Sequence, residues 1–278
     1  MIPNRELTLT LQRKVRRFAP NSRVVIQEES FSVRMAHIEF FYARPENFRG
    51  DTVSLDGDEH KHLTRVLRHQ VGDRVTVVDG AGTAAIECEI LAIERTETRL
   101  RFSRLVRQVG EPRLHLTLAQ AVPKGARFDW LVEKATEIGV SVIIPLITET
   151  SEIDPGQGKV ERWRRLSLSA MKQCCRSVWP QVGEPMLFED LLPEVNQYEV
   201  CWIAHEGGRE FGKEDETQRS INKALVMIGP EGGFSQREIE MASAAGCRIL
   251  SLGPRRLRSD TAGLVAATKI LSLCGELS

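Results

Sequence analysis

Two short segments carry glycine, proline and charged residues in an order suited to holding a ligand: GPEGGFSQREIE at 229–240 and LGPRRLRSDTAGL at 252–264. Gly229, Gly232 and Gly233 let backbone amides and carbonyls approach a ligand with no β-carbon in the way, and Pro230 stiffens the turn. Ser235 and Glu238 have the S-x-x-E spacing of a capping box, so a helix is expected to open there. One glycine turn between a strand and a helix can be geometry alone, but two in succession, each with charges inside, point to a ligand. Neither is a familiar nucleotide loop. No G-x-x-x-x-G-K-[ST] occurs, and AVPKGARFDW stands where a G-x-G-x-x-G would follow the first strand, which disfavours a P-loop NTPase and an ordinary Rossmann dehydrogenase.

These loops need strands behind them. ALVMIGPEGG and RILSLGPRRLR each read as a buried strand running into its loop, and VCWIAHE reads as a third. Upstream, LHLTLAQAV and SVIIPLIT read as strands flanking the helix RFDWLVEKATEIGV, with Phe128, Leu131, Ala135 and Ile138 inward and Gly139 as its stop. A longer helix is expected at about Lys159 to Ser177, with Trp163, Leu166, Ala170 and Cys174 on one side and Arg162, Arg165, Ser169, Lys172 and Arg176 on another. Strands alternating with helices imply a mostly parallel sheet covered on both faces, with ligands at the carboxyl ends of its strands.

The chain before RQVGEPR (107–113) has a different rhythm. From His37 to about Val106, short strands separated by Gly and Asp suggest a small β-barrel. A helix at about Asp58 to Gln70 interrupts it, with Leu63, Val66 and Leu67 as an apolar stripe and His62, Arg65, Arg68 and His69 opposite, a face that suits phosphates or simply solvent.

The 278 residues are 41% hydrophobic, enough to fill real cores, and the 38 basic and 38 acidic residues balance, so any polyanion site must be local. Residues 1–34 are the basic exception, with seven basic residues against three acidic. A transit peptide fits them poorly because of Glu6, Glu28 and Glu29, and Met35 offers another start, so an extra N-terminal segment is the expectation. The six cysteines lack metal-ligand spacing and read as free thiols in a reducing compartment, and no apolar run is long enough to cross a bilayer. A cytoplasmic protein without membrane or metal is expected.

GPEGGFS..EI followed by LGPR.LR..TA resembles the RsmE family of 16S ribosomal RNA uridine N3-methyltransferases, part of the knotted SPOUT methyltransferases. HLTRVLRHQVGDRVTVVDGAG, KGARFDWLVEKATEIGV and AMKQCCRSVWP extend the resemblance from about residue 36 to 275. It implies an α/β chain with a PUA-like RNA-binding barrel (36–107) and a SPOUT domain (112–278) ending in a trefoil knot, after an extension over 1–35. It implies a homodimer acting on 16S ribosomal RNA, within the small subunit, with S-adenosylmethionine as methyl donor. The donor would lie against His205, Glu206, Ile228, Gly229, Glu231, Gly232, Leu252, Gly253, Leu257, Arg258 and Ala262.

Methylation at N3 requires loss of the imide proton and an in-line approach to the methyl group. Arg258 is the candidate to stabilise charge on the uracil oxygens, a salt bridge to Asp260 being the alternative; Asp260 is the candidate to accept the proton, directly or through water. Ser259 and Asp260 stand where the family usually has threonine and glutamate, and Ile38 and Glu39 where it usually has arginines. Arg65, Arg68, Lys124, Lys134, Lys172 and Arg176 are the candidate RNA contacts, each of which could equally be a surface charge. Two other classes fit less well: a non-catalytic RNA-binding or ribosome-assembly protein that retains the fold, and a different cofactor enzyme such as an oxidoreductase.

Overall fold

In the second half of the chain the central strands are rich in buried apolar residues, VIIPLI at 142–147 and KALVMI at 223–228 most of all, as parallel strands covered on both faces must be. The computed structural model describes residues 25–27, 39–153, 155–209 and 221–277, and divides into two compact units: residues up to Glu111 with Lys172–Trp179, and Pro112–Met171 with the chain from Pro180 onward.

The first unit is a mixed sheet of eight strands, β1 (Val25–Gln27), β2 (Phe40–Tyr42), β3 (Phe48–Arg49), β4 (Thr52–Asp56), β5 (Arg74–Val78), β6 (Thr83–Ile93), β7 (Glu97–Arg101) and β8 (Arg104–Arg107). The long β6 pairs antiparallel with β5, β7 and β8. Strands β2 and β4 to β8 feed one core around Phe41, Leu55, Val77, Ile90, Leu100 and Leu105. Within the N-terminal extension, Val25–Gln27 pairs parallel with β8; the rest of residues 1–35, Met35 included, lies outside the described residues, as does Ile38.

The helix expected over 58–70 is shorter. Helix α1 (Gly57–Lys61) widens into a π turn over His62–Val66, closed by Leu67 N–H donating to the His62 carbonyl at 3.0 Å. A π turn carries an extra residue, so Leu63 stays in the core while Val66 rotates off the stripe to 65% exposure. Arg68, with φ of 59°, ends the segment. His69 turns from the expected basic face to carboxylates, with Nε2 2.8 Å from Glu39 and Nδ1 3.1 Å from Asp73. The segment Lys172–Trp179 also belongs to this unit, where Glu111 accepts hydrogen bonds from the Ser177 and Val178 amides at 2.9 and 2.8 Å.

The second unit is an all-parallel sheet, ordered β11 (Gln181–Val182), β10 (Val142–Ile147), β9 (His115–Ala121), β14 (Lys223–Ile228), β13 (Val200–Arg209), β15 (Arg248–Leu250), with β12 (Met186–Leu187) also on β10. Alternate residues feed two cores: Leu116, Leu118, Trp202, Ala224, Val226 and Ile228 one, Ala119, Ile203, Leu225 and Met227 the other. Helices α2 (Arg127–Ile138), α3 (Gln157–Gln173) and α6 (Ser259–Leu273) contribute to the first core, and α4 (Phe188–Leu191) and α5 (Gln236–Ala244) to the second. Gly139, at φ of 108°, caps α2 as its sequence requires. The strand after β9 in sequence, β10, lies on one side of it and the later β14 on the other, which makes the β9/β14 boundary the switch point where such sheets take ligands. Among the described residues no helix is long and apolar enough to cross a membrane.

Burial opposes charging of His69, but its hydrogen bonds to Glu39 and Asp73 outweigh this and raise its pKa above the ordinary value. The stability it contributes is therefore complete below the unfolded pKa of about 6.5 and disappears as pH rises through the higher folded value. His69→Gln is expected to lose roughly 0.5 to 1 kcal/mol against the parent protein at pH 5.5 and almost nothing at pH 9, read from urea melts at the two pH values.

Candidate active site

At the carboxyl ends of β13, β14 and β15 the chain leaves a cavity of about 390 Å³, within the range of small-molecule and cofactor sites. His205 and Glu206 reach it from β13, Ile228, Gly229, Glu231 and Gly232 from the first glycine loop, Leu252, Gly253 and Leu257 from the second, and Ala262 from the first turn of α6. All the residues expected to meet a donor thus share one wall, except Arg258, which caps α6 from the exposed surface and is not on the cavity lining. Arg255, Arg256, Phe234 and Ser259 line the cavity in addition.

The first loop is held open by its own chemistry. A β-carbon on Gly229 would stand 3.0 Å from both the Gly233 carbonyl carbon and the Phe234 nitrogen, so any side chain here would push the loop backbone outward by a few tenths of an ångström. The Gly233 amide closes a turn on the Pro230 carbonyl at 2.9 Å, and Thr150 Oγ1 donates to the Gly233 carbonyl at 2.5 Å. The expected capping box forms in both directions: Ser235 Oγ accepts from the Glu238 amide at 3.1 Å, and Glu238 Oε2 accepts from the Ser235 amide at 2.8 Å. The other oxygen of this buried carboxylate accepts from the Glu149 amide at 2.9 Å, which ties the loop after β10 to the glycine loop.

A second brace joins β9, β14 and α6. Gln120 is fully buried near the end of β9; its Nε2 donates to the Ala121 carbonyl at 3.0 Å and to Ser259 Oγ at 2.8 Å, and Ser259 Oγ donates onward to the Gly229 carbonyl at 2.6 Å. Helix α6 passes so close that a β-carbon on Gly263 would overlap Gln120 Oε1. Gln120, Thr150 and the second bond of Glu238 were not anticipated. The available signal was Gln120, a polar side chain in the LAQAV end of a strand that otherwise runs apolar there.

Asp260, in the first turn of α6, is 6% exposed, and its Oδ1 has no hydrogen-bond partner among the described residues. The alternative salt bridge from Arg258 does not form among the described residues. A buried carboxylate oxygen without a donor is costly, and Asp260 lies behind the lining residues Ser259 and Ala262 without being on the cavity lining itself.

The six candidate RNA contacts separate by environment. Arg65 and Arg68 are exposed on the first unit. Lys124 and Lys134 are surface cations already facing Glu152 at 2.5 Å and Glu137 at 2.6 Å. Lys172 and Arg176 must be corrected: Lys172 is largely buried against Glu59, and Arg176 is 2% exposed with both Nε and Nη2 on Glu111, at 3.1 and 2.7 Å. A phosphate cannot reach Arg176, whose charge is needed inside the first unit.

Comparison with known proteins assigns this arrangement. Residues 110–271 match the family described as RNA methyltransferase domain and residues 55–102 match the RNA methyltransferase PUA domain, so the class is an RNA methyltransferase. Ribosomal RNA small subunit methyltransferase E of Synechocystis is 32% identical over 251 residues, covering 89% of this chain and 82% of that protein. The Aquifex aeolicus protein of the same name is 31% identical over 244 residues, or 83% and 97% of the two chains. The crystal structure of the Neisseria gonorrhoeae ribosomal RNA small subunit methyltransferase E bound to S-adenosyl methionine aligns with a TM-score of 0.77 at 29% identity, covering 85% of this chain and 98% of that one. The chain belongs to the ribosomal RNA small subunit methyltransferase E family. The oxidoreductase reading is left without support.

Gln120→Leu removes the amide and leaves the Ser259 hydroxyl and the Ala121 carbonyl without that donor. It is expected to cost about 1 to 3 kcal/mol in a denaturant titration. A midpoint equal to that of the parent protein would show that the brace carries no stability.

Proposed function

We propose that this protein transfers the methyl group of S-adenosylmethionine to N3 of a uridine in small-subunit ribosomal RNA. Family membership makes it an S-adenosylmethionine-dependent methyltransferase of that RNA; the position on the base is the finer part of the reading. The observation that carries the proposal is the cavity itself, where Gly229, Gly232 and Gly253 offer backbone without β-carbons at the strand ends. Those residues fit a nucleoside-containing donor, because bare amides and carbonyls can reach its polar edges while Ile228, Leu252, Leu257 and Ala262 cover its apolar parts.

When bound, the donor supplies an electrophilic methyl group on a sulfonium. The chain's residues then have two tasks, to orient a base and to take its N3 proton. N3 lies on the pairing edge, so the uridine must be unpaired or splayed out. Asp260 is the proposed acceptor of the proton, its Oδ1 being buried and unengaged among the described residues. Arg258, exposed at the start of α6, is the proposed partner of the uracil oxygens. Asp260 would take the N3 proton onto its carboxylate and Arg258 would hold the uracil oxygens, with the methyl group supplied by the donor when bound.

The same reading proposes the barrel, 36–107, as an RNA-binding PUA-like domain with Arg65 and Arg68 on phosphate, and 112–278 as a SPOUT domain with a C-terminal trefoil knot. A cytoplasmic homodimer completes the proposal.

The test is incubation of the protein and labelled donor with 30S subunits lacking the modification, followed by digestion and mass spectrometry. Label in 3-methyluridine is the expected result, and label in another nucleoside, or none from a protein that binds the donor, overturns it. Asp260→Asn should lower kcat by about a hundredfold or more with the donor Kd unchanged; a rate within about twofold of the parent would remove Asp260 from the proton transfer.

A further inference from the structure

The segment between β15 and α6 is anchored at both ends and charged at its apex. Leu252 packs against the first core and Leu257 is half-buried, while Arg255 and Arg256 between them are exposed and line the cavity. Pro254 and the Gly253 backbone, at φ of 115°, fix the bend that turns the two arginines outward together.

Cations on the helices of the same unit are mostly paired. Arg127 faces Glu231 at 3.6 Å, Lys134 faces Glu137 at 2.6 Å and Arg162 faces Asp129 at 2.7 Å. Arg255 and Arg256 have no carboxylate within ion-pair distance among the described residues. Of the two carboxylates on the lining, Glu231 is near Arg127 at 3.6 Å and Glu206 pairs with neither arginine among the described residues. Adjacent, uncompensated arginines held on a stiff bend favour an anion from outside, and their planar forks match phosphate oxygens.

We infer that Arg255 and Arg256 grip the phosphate backbone of the RNA strand that carries the target base, at the mouth of the cavity. The inference rests on the reading of the cavity as the site of methyl transfer to RNA. A base delivered into the cavity brings its own flanking phosphates to that mouth, and contacts to them set register without reading sequence. The arginines are positioning residues for the substrate strand, acting beside the reaction and not in it.

The competing anion is the carboxylate of the donor itself, and the experiment separates the two. Arg255→Ala/Arg256→Ala and Arg255→Lys/Arg256→Lys are titrated calorimetrically with S-adenosylmethionine and with 5′-methylthioadenosine, which lacks the carboxylate. Methylation of 30S subunits and filter binding of small-subunit RNA are measured across a salt series. The double alanine variant should bind both nucleosides within about twofold of the parent, raise KM for the subunit about tenfold with kcat nearly unchanged, and flatten the salt dependence of RNA affinity by about 1.4 in log–log slope, roughly 0.7 per lost phosphate contact. The lysine variant should recover the slope. Weaker binding of S-adenosylmethionine alone would assign the arginines to the donor carboxylate and overturn the proposal, as would unchanged RNA affinity and slope. A parent protein that methylates no ribosomal RNA would instead refute the underlying reading, and filter binding would still decide whether these arginines hold RNA.

Discussion

A buried amide near the end of one strand organises this methyltransferase domain. Gln120 donates to Ser259, and Ser259 donates to the Gly229 carbonyl, so a single hydrogen-bonded line joins β9, the loop after β14 and the start of α6. Each of those segments contributes to the cavity at the strand ends or borders it. Burying an amide with its donors unused would cost several kcal/mol, so the sheet can accept Gln120 only where these partners converge. The first glycine loop and the start of α6 are thereby tied to each other and to β9 by the chain's own hydrogen bonds.

Electrostatics divides the cations by role. Arg176 is committed to Glu111 inside the first unit, and Lys172 to Glu59. Removing either partner of such a buried pair strands a charge, which makes these residues structural. Exposed arginines such as Arg65, Arg68, Arg255, Arg256 and Arg258 have no such commitment among the described residues, and they are the ones that can answer a polyanion. A chain with no net charge thus acquires local basic sites by pairing some cations and leaving others open.

Much of this was legible in the residues. Apolar runs ending in glycine turns predicted the parallel strands and their loops, and the spacing of Ser235 and Glu238 predicted a capping box that forms in both directions. The limits have physical causes. Periodicity cannot show that the helix after Asp56 widens to a π turn, so Val66 was put on the wrong side. Helical spacing placed Arg176 on a basic face, but the chain leaves the helix before it and Cys175, at φ of 60°, turns it toward Glu111. The Gln120 brace spans 139 residues in sequence, a distance over which local pattern carries no information.

The most direct measurement is a crystal structure of the protein with S-adenosylmethionine. The account predicts the donor against Gly229, Gly232, Leu252 and Gly253, with the Gln120–Ser259 and Ser259–Gly229 hydrogen bonds still at about their 2.8 and 2.6 Å lengths. A donor bound elsewhere, or one that enters only after those bonds break and the loops rearrange, would contradict it.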